Sequence, residues 1–170
     1  MQIHTSKKFA VVTLSAALAL ALSGCASGNN AETRKTKQVT DGADASITTM
    51  GNNIKARSIL VVAQEDGSAV LTGSVFNGVA TEDELLGAAV GGKLATLGEP
   101  SYPVSQGRPL TFAGTTKNAS VIVSDLNAKI GTRIKVQFFF ARAGEVTLET
   151  IVREKSGEFA KVGEPDEASL

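Results

Sequence analysis

The stretch RIKVQFFFARAGEVTLETIV, residues 133–152, decides the fold. Its first run, 133–141, is rich in β-branched and aromatic residues and alternates apolar with polar as far as Gln137. Ala143-Gly144 marks a turn. In the second run, 145–152, Val146, Leu148, Thr150 and Val152 fall on one face of an extended strand.

The same period recurs upstream. Residues 54–63 (IKARSILVVA) precede a turn at Glu65-Asp66-Gly67-Ser68, and 69–76 (AVLTGSVF) closes on Asn77-Gly78, a strong turn signal. Thr81-Glu82-Asp83-Glu84 spells a capping box, but Gly87, Gly91 and Gly92 would each cost a helix about 1 kcal/mol. Residues 84–90 therefore read as strand. The segment 93–108 carries Pro100 and Pro103 and should be irregular or edge-like. Two further runs, 110–113 and 120–126 (SVIVSDL), complete the set. Period-two segments with turns between them predict an all-β domain, an antiparallel β-sandwich. Its core should draw on Ile59, Val61, Leu71, Val75, Leu85, Val121, Val123, Ile134, Val136, Phe138, Val146 and Leu148.

The amino terminus has a different character. Lys7 and Lys8 precede an apolar run, 9–22, and small residues follow, which is the pattern of an exported signal peptide. The run is too short to be a membrane-spanning helix, which needs roughly 20 apolar residues. Leu22-Ser23-Gly24-Cys25 resembles a bacterial lipobox, which implies a diacylglycerol on the Cys25 sulfur and cleavage before it. At about 0.8 kcal/mol per buried methylene, two acyl chains suffice for stable anchoring. The expected organisation is a lipoprotein signal peptide at 1–24, a flexible tether at 25–43, the β-sandwich at 44–155 and a disordered acidic tail at 156–170. The expected location is the cell membrane, lipid-anchored on its extracytoplasmic face. Arg34, Lys35 and Lys37 lie near the anchor, but they are fewer than the roughly four to eight cations that mark lipid recognition, so they read as a solvated linker.

Trimming the leader leaves 146 of 170 residues and removes Lys7 and Lys8, so that 15 basic residues face 17 acidic ones. That balance offers no electrostatic case for nucleic acid. It also removes His4, the single histidine, which excludes a Ser-His-Asp triad and every imidazole metal site from the mature chain. The single cysteine is taken by lipid, so neither a disulfide nor a thiol nucleophile remains.

Residues 87–94 (GAAVGGKL) nearly spell a phosphate-binding loop, but Leu94 stands where a hydroxyl should hold magnesium, and a tight turn is the better reading. Glu82, Asp83 and Glu84 supply hard calcium donors without a glycine-braced loop and read as a solvated turn. Asn118-Ala119-Ser120 is a glycosylation sequon by spelling alone. Nothing positions a Ser-Lys dyad. In Phe138-Phe139-Phe140 the faces alternate, so Phe139 should look outward beside Arg142, either covered by a loop or an adjoining element, which is the better reading, or as a candidate partner surface, and Tyr102, between two prolines, poses the same choice.

Asn53-Ile54-Lys55-Ala56-Arg57, Ser74-Val75-Phe76-Asn77-Gly78, Glu84-Leu85-Leu86-Gly87 and the closing hairpin together resemble the periplasmic copper(I) chaperone PCu(A)C family, and with the lipobox its LpqE-like lipoprotein branch. The resemblance covers roughly residues 53–152. It implies a cupredoxin-like or immunoglobulin-like sandwich that binds copper through His and Met and delivers it. Aligned on Leu126, the family's His-x-Met pair falls on Ser120 and Ile122, which offer copper(I) neither imidazole nor thioether. Met50, the only methionine after Met1, stands ahead of the domain's strands. The expectation is a noncatalytic, membrane-anchored binding or assembly module of the cell envelope, without cofactor or metal. Its partners would be the membrane through the lipid anchor and an envelope protein or lipid. The alternative is copper delivery with non-standard ligands.

Overall fold

The computed structural model describes residues 42–164. Among them run the strands β1 (Ala43–Ile47), β2 (Ile54–Ala63), β3 (Ala69–Asn77), β4 (Asp83–Val90), β5 (Lys93–Leu94), β6 (Thr96–Leu97), β7 (Tyr102–Val104), β8 (Leu110–Thr111), β9 (Val121–Val123), β10 (Arg133–Phe140) and β11 (Gly144–Glu154). A short 3-10 turn, Gly157–Phe159, follows. The leader, Cys25 and the basic residues Arg34, Lys35 and Lys37 lie outside the described residues.

The architecture is all-β, a sandwich whose two sheets join at both edges. The strand order is β5-β4-β10-β11-β2-β3-β9-β6, with β1 on β2, β7 on β4 and β8 on β3. At one edge β11 changes partner: as far as Ile151 it pairs antiparallel with β10, and from Val152 to its end it pairs parallel with β2. At the other edge β5 pairs with β4, and two residues later β6 pairs with β9. The chain from Lys93 to Leu97 therefore crosses between sheets, and the layers close into a near-barrel.

Alternation along β10 and β11 makes this closure favourable. Val136, Phe138 and Phe140 are buried opposite Val90, Ala88 and Leu85 of β4, while Val146, Leu148, Thr150 and Val152 are buried from β11. Phe138 stacks on Phe112 with ring centroids 5.8 Å apart. Each large apolar side chain buried in this way contributes about 1.5–3 kcal/mol relative to exposure. Of the expected core, only Ile134 is half-buried, because it packs at the end of the sheet over Gly91. Phe112 and Tyr102 join the core from the stretch 93–113, where proline and short runs conceal alternation.

β2 carries a bulge between Arg57 and Leu60, with Ser58 at φ 51°. The Asp44 carboxylate accepts from the Ser58 N–H at 2.8 Å and from the Arg57 guanidinium at 3.1 Å. Opposite it, Gly73 has φ 105°, and a Cβ there would stand 2.7 Å from the carbonyl oxygens of Arg57 and Ser58. Only glycine fits there, opposite the bulge that shifts the β2–β3 register.

Some boundaries differ from expectation. The segment 93–108 holds three short strands, since each needs only a few ladder bonds to an already formed neighbour. The strand expected at 120–126 is confined to Val121–Val123, because Asp125 and Asn127 take positive φ and turn the chain. Met50 lies in the turn joining β1 to β2 and is exposed, so it belongs to the domain rather than preceding it. Of the segment expected as a disordered tail, residues 156–164 pack against the sandwich: Val162 is buried with Val62 and Val70, with Phe159 and Ala113 alongside. Residues 165–170 lie outside the described residues.

Candidate functional site

The start of β9, with Ser120 just ahead of it and Ile122 within it, is where the family resemblance places copper ligands. The strand is held on one side by β3, with Ile122 opposite Val70, and on the other by β6, with Ile122 opposite Thr96. The Ser120 carbonyl accepts from the Gly98 N–H at 3.1 Å, and the Ser120 N–H donates to the Tyr102 hydroxyl at 3.0 Å. Gly98 sits close by: a Cβ on it would stand 2.8 Å from the Tyr102 oxygen and 3.2 Å from Ser120 Cβ. Ser120 is thus fastened through its backbone, half-buried, while Ile122 is 37% exposed.

These side chains do not fit copper(I). The position offers the hydroxyls of Ser120, Thr96 and Tyr102 and the hydrocarbon of Ile122, whereas a soft monovalent ion selects thioether, thiolate or imidazole. Among the described residues no group of three or more His, Cys, Asp or Glu side chains converges to hold an ion.

Tyr102 corrects an expectation. As a candidate partner surface it fails, because it is 7% exposed and its hydroxyl is engaged as the acceptor for Ser120. The reason is register: in β7 Tyr102 pairs with Leu85 and shares its inward face, so Pro103 looks out instead. Phe139 pairs with Gly87 and lies half-buried over it, on the outer side of β10. Leu86 of β4 is half exposed and Leu94 of β5 largely exposed.

The acidic run resolves into three separate duties. Asp83 is buried, and its carboxylate accepts from the N–H groups of Glu84 at 2.8 Å, Arg142 at 2.8 Å and Ala143 at 2.9 Å. It holds the β10–β11 turn against the start of β4. Glu84 accepts from the Ser101 hydroxyl and Glu82 from the Ser105 hydroxyl, both on the outer side. The three carboxylates therefore do not converge on an ion, and Asp83 corrects the reading of a wholly solvated turn. Sequence reasoning could not single out Asp83, because its amide donors come from a turn about 60 residues away.

The glycine-rich stretch 87–94 is a hairpin. Gly91 and Gly92, at φ 59° and 82°, make the two-residue turn between β4 and β5, and Lys93 Nζ donates to the Asp125 carbonyl at 2.6 Å. Asn77 is buried; its amide donates to the carbonyls of Thr81 and Val104, both at 2.9 Å, and its oxygen accepts from the Val79 N–H at 3.0 Å. The Asn-Gly signal thus marks a loop pinned to β7.

Comparison with known structures agrees with this geometry. The chain is similar to the apo PCuAC domain from PmoF1, at 20% identity over 59% of this chain and 93% of that one, with a TM-score of 0.52. It is also similar to the copper-bound PCuAC domain from PmoF2, at 19% identity over 66% of this chain and 98% of that one, with a TM-score of 0.55. The fold is that of a PCuAC domain. At this identity the likeness is one of fold, and the PCuAC-like sandwich is the frame that carries Ser120 and Ile122. No protein-family model and no curated protein matches the chain.

Proposed function

We propose that the chain is a noncatalytic binding or assembly module of the cell envelope, built on a PCuAC-like fold and tied to the membrane through lipid on Cys25. One observation carries the reading: at the start of β9 the positions that the resemblance assigns to His and Met hold Ser120, just ahead of the strand and fastened through its backbone, and Ile122 within it, in an apolar row. Support against catalysis comes from how the polar groups are spent. Asp83 serves backbone amides and Tyr102 serves Ser120.

Copper(I) titration of the chain lacking residues 1–25, with a chromogenic competitor, tests the metal part. No stoichiometric tight binding is expected, and one tightly bound copper per chain overturns it. Fractionation tests the anchor: the wild type should partition with membranes and Cys25→Ala should not. The copper-bound PCuAC domain from PmoF2 supports a second reading, copper delivery with non-standard ligands. It predicts a growth defect of a deletion strain that depends on the copper supply.

A further inference from the structure

We propose that residues 156–164 form a strap that closes over an apolar strip on the outer side of the β2–β3 sheet and opens while the sandwich stays folded. The strip is a row across three strands. Val62 pairs with Val70, and Val70 pairs with Ile122 on its other side. Paired residues of antiparallel strands share a face, so the three side chains stand together. Their inward neighbours Val61, Leu71, Val121 and Val123 belong to the main core, whereas Val62 and Val70 form a separate cluster with Val162.

The strap's attachment is almost purely apolar. Its backbone bonds run from Phe159 N–H to Ser156, from Ala160 to Gly157, from Val162 to Phe159 and from Glu164 to Lys161, and Ser156 N–H bonds Glu154. An ion pair, Lys155 with Glu164 at 3.7 Å, joins the strap's last residue to the residue just ahead of its first. Among the described residues no hydrogen bond or ion pair ties 156–164 to β2 or β3. What holds it is Val162, half-buried Phe159 and the close seat of Gly163, where a Cβ would come within 3.2 Å of a Val70 methyl carbon. An element joined to the sheet beneath it by a few apolar contacts, with its polar bonds made internally or to residues 154 and 155 that lead into it, can leave as a unit. Opening uncovers Val62 and Val70 and extends exposed Ile122 into a continuous apolar ridge. The inference stands apart from the membrane and copper readings.

Amide hydrogen exchange on the chain lacking residues 1–25 tests it. The amides of Phe159, Ala160 and Val162 report the strap alone, because their acceptors lie within it. They should exchange at least about 100-fold faster than the ladder amides of β2 and β3, as sub-global opening requires. Val162→Asp should bring them to the rate of a free peptide and leave the β10–β11 ladder protected. A chain ending at Lys155 should keep its far-ultraviolet circular dichroism and bind an apolar dye about threefold more strongly, as an uncovered patch would. Strap amides exchanging at the core rate, or loss of fold in the shortened chain, overturns the proposal.

Discussion

Two of the places where the sandwich buries a polar side chain against distant backbone do so to different degrees. At the β10–β11 turn the Asp83 carboxylate takes three N–H groups, two of them from the turn itself. At the β9 edge the Tyr102 hydroxyl takes one, from Ser120. The first is a charged acceptor that organises a turn. The second is a neutral acceptor that satisfies one strand-end amide beside a half-exposed face. The contrast separates a structural lock from a surface free to change its chemistry, and the resemblance places the copper ligands at the second.

The comparison can be broken at its stronger end first. Asp83→Ala strands three amide donors, so a loss of about 3 kcal/mol is expected in urea unfolding, with Asp83→Asn losing about half of that. An unchanged midpoint would show that the turn needs no lock. Tyr102→Phe removes a single acceptor and should cost about 1–2 kcal/mol with the circular dichroism spectrum unchanged. A loss as large as that of Asp83→Ala would erase the distinction.

The smallest effect lies on the outer side of the same hairpin. The Gln137 amide and the Thr147 hydroxyl both donate to the Glu145 carboxylate and hold its pKa below the ordinary glutamate value. A depressed folded pKa lends stability that is fully present above the ordinary carboxylate range and is lost as pH falls through the folded value. Because Glu145 is exposed, the contribution is slight. Melting wild type and Glu145→Gln across this range should show a small gap near neutrality that closes in acid. A gap that widens in acid would contradict the assignment.

Much of the fold was legible from period-two alternation. β2, β4, β10 and β11 emerged within a residue or two at each end, because β10 and β11 alternate along their length and β2 and β4 alternate at their start before running into consecutive buried residues. The short strands β5 to β7 did not, since a strand of two or three residues has no period to detect and is made by its neighbour. The strap escaped for a similar reason. Phe159, Val162 and the glycines around them carry no repeat, and their burial depends on Val62 and Val70 facing outward. Tyr102 was misplaced because proline on both sides resembles a surface loop, yet the register with Leu85 turns it inward.

By itself the sequence determined the alternation that makes a β-sandwich and the absence of imidazole after His4, because both follow from residue identity and order. It also carries the lipobox-like end at Cys25. Only the tertiary structure decided that Asp83 locks a turn, that Tyr102 is an internal acceptor and that a strap covers Val62 and Val70. Each of these depends on which residues, far apart in the chain, the closing of the two sheets brings within a few ångströms.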